Sequence, residues 1–209
     1  MKKIMVYGVS RSGTTLVWRM FAQLLPWCSI EKSHWDKVLY PCVIVYRDFR
    51  DALASNYRVN GLGLKGKWDV DSPPSRDTLD TYIDLYMDEH WPILQWYMKQ
   101  HLEAPRLRYE DFYNAPEKIV AAVEQLSGEQ ISEATVDKAL TLVSLDAASR
   151  RIAGMKDFRE KDDESNLHGK HIGPVTPGSW KQWIAQSDHA YLTERLRPAL
   201  VSLGYSLEA

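Results

Sequence analysis

Three short stretches of this chain carry residues whose types and spacing suit anion chemistry. The first is Tyr7-Gly8-Val9-Ser10-Arg11-Ser12-Gly13-Thr14-Thr15. It follows the apolar run Ile4-Met5-Val6 and leads into a stretch, Thr14 to Leu25, that reads as a helix. A buried strand, a glycine-bounded turn and a helix N-terminus bring backbone N–H groups and the positive end of a helix dipole to one point. Gly8-x4-Gly13 has the spacing of a phosphate-binding loop, but Thr14 stands where nucleoside-triphosphate enzymes carry Lys. The nearest cation is Arg11, so the loop suits a phosphate-type group other than a Mg-bound triphosphate tail. An ordinary strand–turn–helix junction has the same pattern, and the loop alone leaves the two readings level.

The second stretch, Ile30-Glu31-Lys32-Ser33-His34-Trp35, falls at the end of an expected short strand. Alternation puts Lys32 and His34 on one face and Glu31 and Ser33 on the other. A His beside a Lys at a strand's carboxyl end, near an anion loop, is placed to act as a base. Taken alone, a solvated strand end is the simpler reading. The third stretch shifts that balance. Cys42-Val43-Ile44-Val45-Tyr46 is a continuous apolar run of the kind found in central parallel strands. It passes directly into Arg47-Asp48-Phe49-Arg50-Asp51-Ala52-Leu53-Ala54-Ser55-Asn56-Tyr57-Arg58, where apolar residues recur at helical spacing. A helix is expected from near Asp48 or Arg50. Arg47 then stands at the strand's end and Ser55 two turns along the helix, both within reach of a second phosphate.

Composition sets the frame for these stretches. At 209 residues and 44% hydrophobic, the chain suits one well-buried domain with little left for a second. A net charge of −2 argues against a general nucleic-acid or membrane-surface binder. The local cluster Arg47, Arg50 and Arg58 suits a focused anionic site instead. Eight Trp and eleven Tyr fit either a core or a pocket for a flat substrate. Cys28 and Cys42 are expected as buried thiols rather than a disulfide pair. No His/Cys/Asp cluster has metal-ligand spacing. The opening Met1-Lys2-Lys3 and strand are too short for a signal segment, and no apolar run has membrane-spanning length, so a soluble, cytoplasmic protein is expected.

Taken in order, the Ser-Gly-Thr-Thr loop, Lys32-x-His34 and the strand ending in Arg47-x3-Asp51-x3-Ser55 resemble the PAPS-dependent sulfotransferases. Arg108-Tyr109-Glu110-Asp111 matches that family's Tyr-Glu-Asp, and Gly178-Ser179-Trp180-Lys181 resembles its late Gly-x-Trp-Lys signature. The chain is similar to a short member of bacterial or phage type. The resemblance implies a single α/β domain of P-loop type over residues 1–209, a mostly parallel sheet with helices on both faces. It implies sulfuryl transfer from 3′-phosphoadenosine 5′-phosphosulfate (PAPS) to a hydroxyl of a small-molecule acceptor, leaving the 3′,5′-bisphosphate PAP, without a metal. Arg11, Ser12, Gly13, Thr14 and Thr15 would then grip the 5′-phosphosulfate, Arg47 and Ser55 the 3′-phosphate, and Tyr109 would lie near the nucleotide. Lys32 and His34 align with the family's Lys-Thr-His, whose His deprotonates the acceptor. Arg11 resembles the tyrosylprotein branch, which uses a Glu base, so Glu31 stands as the alternative to a preferred His34.

Leu16 occupies the position where many members stack a Trp on the adenine, and Ser144 and Leu145 that of a Ser-Phe pair beside it. The polar stretch from Asp146 to Gly178 resembles the segment that closes over the nucleotide, but Gly173-Pro174-Val175 replaces its Arg-Lys-Gly. Lys170 and His171 are the nearest substitutes. Elsewhere a long helix is expected from Thr78 to Gln100, kinked or split at Pro92. A short strand is expected from Pro105 to Tyr109, a helix capped by Asn114 running to Leu126, and one capped by Ser132 to about Val143. A packing helix is expected over Asp188 to Leu203. Glu110 and Asp111 read as structural. Two rivals remain open on sequence: a P-loop kinase, and a nucleotide-binding protein without catalysis.

Overall fold

The computed structural model describes residues 2–60, 72–156, 160–169 and 176–208. Its centre is a four-stranded parallel sheet in the order β2-β1-β3-β4, where β1 is Lys3–Gly8, β2 Ser29–Ser33, β3 Cys42–Tyr46 and β4 Arg106–Arg108. The two central strands are apolar on both sides because both sides are covered. Ile4, Val6, Val43 and Val45 face one hydrophobic layer, and Met5, Tyr7, Cys42 and Ile44 face the other. Register pairs Met5 with Cys42 and Gly8 with Val45, so the carboxyl ends of β1 and β3 lie side by side.

On the first face pack α1 (Thr14–Leu24), α6 (Glu117–Ser127) and α7 (Glu133–Val143). The other face carries α2 (Phe49–Asn60), α3 (Arg76–Asp84), α4 (Trp91–Gln100), α9 (Trp180–Trp183) and α10 (His189–Ser202). Short α5 (Tyr109–Phe112) follows β4, and α8 (Leu145–Ile152) follows α7. The helix after β1 therefore lies on one face and the helix after β3 on the other. Their strands are neighbours, so a crevice opens between them at the carboxyl edge, the usual ligand position in such sheets.

The expected long helix is three segments. A π-helical stretch, Leu85–His90, joins α3 to α4 immediately before Pro92. Trp91 N donates to Tyr86 O, a five-residue step. Proline cannot donate to Asp88, and the widened turn just before it absorbs the break. Asn114 does not cap: α6 starts after Pro116 with no side-chain cap, and Gly128 at φ 79° ends it. Ser132 does cap α7, accepting from Thr135 N. Both cysteines are free thiols; Cys42 is buried, Cys28 only half-buried. Among the described residues no helix is long and apolar enough to cross a membrane.

Candidate active site

The β1–α1 turn is shaped by two residues in left-handed backbone geometry, Arg11 (φ 67°) and Gly13 (φ 83°). Glycine is needed at both ends of it. A Cβ on Gly8 would sit 2.5 Å from Thr14 Oγ1 and 2.8 Å from Val45 O, and one on Gly13 would sit 2.8 Å from the Tyr109 ring. Ser12 Oγ donates to Val9 O at 2.6 Å, clamping the turn from within. The N-cap of α1 is Gly13, with no side-chain cap, whereas Ser75, Ser132 and Ser144 cap α3, α7 and α8. Glycine at the N-cap offers no side chain to the opening N–H groups of α1, which suits an incoming anion.

That turn borders a cavity of about 480 Å³. Four cations line it, Arg11, Lys32, Arg47 and Lys161, and no carboxylate is among its described lining residues. Arg11 Nε donates to Ser55 Oγ at 3.1 Å. Arg47, 2% exposed, packs its guanidinium 4.2 Å from the centre of the Tyr109 ring and points Nη1 at Arg11 O (3.4 Å). Burial and the crowding of like charge are legible in the pKa values. Burial lowers Arg11 to about 10, with Arg47 and Arg58 adding to the effect against Tyr86 and Tyr109. Burial, then the charge of Lys161, lowers Lys32 to about 8. A multiply charged anion in this cavity would favour the charged forms of both groups.

Lys32 and His34 reach the cavity from the end of β2, as alternation requires. Lys32 Nζ donates to Thr15 Oγ1 at 3.1 Å. His34 Nδ1 lies 2.5 Å from Gly8 O. A carbonyl oxygen only accepts, so Nδ1 carries the proton and Nε2 keeps its lone pair, the arrangement of a base. Burial first, then the charges of Lys32 and Arg11, hold His34 below its ordinary 6.5, while the Gly8 contact opposes them. It is therefore neutral at neutral pH.

A second, apolar cavity of about 390 Å³ adjoins the first and shares Gly13, Thr15 and Tyr109 with it. Leu16, Leu140, Val143, Leu145 and Leu167 form much of its wall. Through those shared residues the two form a joined recess with a charged end and an apolar end.

No protein-family model and no curated protein matches the chain. Solved structures do. A mouse sulfotransferase, SULT7A1, complexed with PAP superposes with a TM-score of 0.60 at 13% identity, over 97% of this chain and 86% of that one. Retinol dehydratase in complex with androsterone and the inactive cofactor PAP gives 0.65 at 14% identity, over 96% and 81%. The same enzyme with retinol and PAP gives 0.62 at 15%, over 96% and 82%. The chain has the sulfotransferase fold.

On that sulfotransferase fold the expected residues fall into groups. Arg11, Gly13, Thr14, Thr15, Lys32, His34, Arg47, Ser55 and Tyr109 line the charged cavity, and Ser12 is buried in its turn. Ser144 and Leu145 line the apolar cavity beside Leu16. Glu31 lies elsewhere: its carboxylate accepts from Lys3 and from Tyr40, on the opposite side of β2. Lys170 and His171, and the Gly173-Pro174-Val175 stretch, lie outside the described residues. Asp51 explains two motifs at once. It stands 3.8 Å from Arg47 and accepts from Gly178 N (2.7 Å) and Trp180 N (2.9 Å), tying α2 to the late Gly-Ser-Trp-Lys run. Glu110 is structural, accepting from Asp48 N and Tyr205 OH. The basic cluster splits: Arg47 faces the site, Arg50 holds Asp48 and the C-terminal backbone, and Arg58 stacks on Trp183. Ser10, Asn56, Lys161, Asn166 and His168 also line the charged cavity and were missed as site residues. Ser10 and Asn56, next to Arg11 and Ser55, were within reach of the same reasoning; the other three sit in the polar stretch that resembles a closing segment, where no motif singles them out.

Proposed function

We propose that this protein transfers a sulfuryl group from PAPS to the hydroxyl of a small-molecule acceptor. The observation that carries the reading is the joined pair of cavities, with His34 bordering the charged one. Its carboxylate-free wall suits an anion at each end of a nucleotide, and the apolar cavity suits a purine. The turn and α1 N-terminus would hold the 5′-phosphosulfate, and Arg47 with Ser55 the 3′-phosphate. His34 Nε2 takes the acceptor proton as the acceptor oxygen bonds to sulfur. The S–O bond to the 5′-phosphate breaks in line, and its electron pair leaves on that phosphate, where Arg11, Lys32 and loop N–H groups neutralise it. The neighbours' retinol and androsterone are hydroxyl-bearing small molecules, which supports a hydroxyl acceptor for this chain. The free thiols of Cys28 and Cys42 accord with a cytoplasmic setting.

Thermal denaturation without Mg, with PAP at ~100 times its Kd, should raise Tm by about 5–10 °C. Radiolabelled sulfate from PAPS should then appear on members of a panel of phenols, sterols and sugars. Stabilisation by ATP with Mg but not by PAP would transfer the protein to the kinases. PAP binding with no transfer to any acceptor, under conditions where PAPS binds, would leave only a nucleotide-binding protein.

A further inference from the structure

The π-helical stretch before Pro92 ends in a side chain that packing alone does not explain. His90 is 0% exposed, and neither Nδ1 nor Nε2 has a hydrogen-bond partner among the described residues. Its ring stacks on Trp35, with centroids 4.3 Å apart and planes at 21°, and meets the Tyr86 ring at 5.0 Å and 56°. Burial, then the charge of His34, lowers its pKa to about 4. At neutral pH it is therefore the uncharged imidazole, with one N–H to give and one lone pair to accept. Phenylalanine would fill the same stack without leaving two polar atoms unsatisfied, which is costly inside a protein.

Both sides of the stack are fastened to the anion-binding turn. Trp35 follows His34 directly, and His34 Nδ1 lies 2.5 Å from Gly8 O. Tyr86, four residues before His90 in the same π segment, donates its hydroxyl to Ser10 O at 3.0 Å. Gly8 and Ser10 flank Val9 in that turn, so His90 is held next to the strand end that carries the base. Phe49 packs edge-on against Tyr86 and adds to the aromatic setting. Trp35 itself is 47% exposed, a half-solvated ring laid over a fully buried one.

We infer that His90 is a specificity residue for the acceptor, reading a second polar group on a flat hydroxylated ring whose reacting hydroxyl lies at His34. The Trp35 indole swings aside and the ring enters edge-first between it and Tyr86. Edge-on entry brings the ring's far polar group into the imidazole plane, where the N–H and the lone pair point. The aromatic walls select a flat body, and the unpaired nitrogens select a hydrogen-bonding group at its far end. The inference rests on the proposed PAPS reading and narrows its acceptor to a phenol with a second hydroxyl or similar group.

The test compares 2-naphthol with naphthalene-2,6-diol and naphthalene-2,7-diol as acceptors at saturating PAPS, in the wild type and in His90→Phe. Phenylalanine keeps a ring in the stack and removes both nitrogens. In the wild type, kcat/KM per hydroxyl should be about fivefold or more higher for at least one diol than for 2-naphthol, the worth of one buried hydrogen bond. His90→Phe should bring that ratio close to one. A second readout needs no variant: with PAP bound, the favoured diol should move the imidazole nitrogen NMR resonances of His90 further than 2-naphthol does. Ratios near one for both diols in the wild type overturn the inference and leave the PAPS reading standing, as does a high ratio that His90→Phe preserves. If His90→Phe no longer binds PAP, the nitrogen resonances decide, and an equal response to diol and naphthol overturns the inference. Transfer to none of the three by a protein that binds PAP overturns it too, and the PAPS reading then rests on sterols and sugars. A wild type that binds no PAP takes both readings down together.

Discussion

The two halves of the site are built by different means. The charged cavity is set out on strand ends: Gly8 and the turn after β1, Lys32 and His34 at the end of β2, Arg47 just past β3. Parallel pairing fixes those positions relative to one another, as in the register that sets Gly8 beside Val45. The apolar cavity is assembled from helix sides and a loop, with Leu16 on α1, Leu140 and Val143 on α7, Leu145 on α8, and Leu167. Charge stabilisation during bond transfer falls off with small errors of distance and direction, so it needs a rigid frame. Stacking or burying a flat ring needs area and little direction, and movable walls suffice. On the proposed reading, bond transfer would take place where the sheet is stiff and the ring would be held where helices meet.

The largest effect should come from the stiff half. His34→Ala is expected to lower turnover roughly 10²- to 10⁴-fold, the usual contribution of a general base, while PAP affinity stays within about twofold. An equal loss in both would make His34 a binding residue and blur the contrast. The pH profile of kcat/KM for PAPS should show an acid limb below the ordinary 6.5 of histidine, because protonation of His34 removes the base and burial holds its pKa down. A second limb should fall near pH 8, where free Lys32 loses the charge that helps bind the incoming anion. Lys32→Arg should move that alkaline limb to higher pH and leave the acid limb in place.

Next comes Arg47→Ala. Arg47 and Asp51 are both at least 98% covered, so removing the guanidinium strands a buried carboxylate and should cost about 3 kcal/mol of stability. Burial already raises the pKa of Asp51 above the ordinary 3.8. Its folded form therefore holds a proton better than the unfolded chain, and without Arg47 it holds it better still. The deficit should shrink as pH falls from neutrality through that raised pKa. A deficit that grows on acidification would mean the pair is not what is lost. Urea denaturation at several pH values reads this directly.

The apolar half should respond more weakly and to a different ligand. Leu145→Ala removes an exposed side chain (64%) from the cavity wall, so folding should barely notice. PAP affinity should fall about three- to tenfold, the worth of part of one apolar contact, while inorganic pyrophosphate affinity is unchanged. A parallel loss for pyrophosphate would show that the two cavities are not separable functions.

The same contrast explains what was legible in the sequence. Each strand-end residue is announced locally: an apolar run locates the strand, and the next few residues must lie at its carboxyl edge. That is how Arg11, Arg47 and Ser55 were singled out without knowing strand order, whereas Lys32 and His34 needed the third stretch and the family resemblance to outweigh a solvated strand end. Lys161, Asn166 and His168 have no such announcement. Their position depends on Arg151 holding Asp162 and on Leu167 finding an apolar wall, contacts made only once α7 and α8 are in place. The break before Pro92 was legible as a proline effect, but not its form, because the π turn is a compromise between that missing donor and packing of Tyr86 and Trp91 in the core.

The smallest expected effect tests a residue that alternation and resemblance placed differently. Glu31 follows the loop at a distance suited to a carboxylate base, yet β2 turns it away from Lys32 and His34. Its oxygens are taken by Lys3 at 3.0 Å and by the hydroxyl of Tyr40, and those contacts, in that order of size Tyr40 then Lys3, lower its pKa. A carboxylate so held is a poor proton acceptor as well as a remote one. Glu31→Gln should therefore change turnover by less than about twofold, with the acid limb of the pH profile unmoved, against the loss of ~100-fold or more for His34→Ala. If instead Glu31→Gln abolishes transfer while His34→Ala spares it, the base lies on the far face of β2. The face assignment that separates the two halves of the site would then have to be redrawn around that strand.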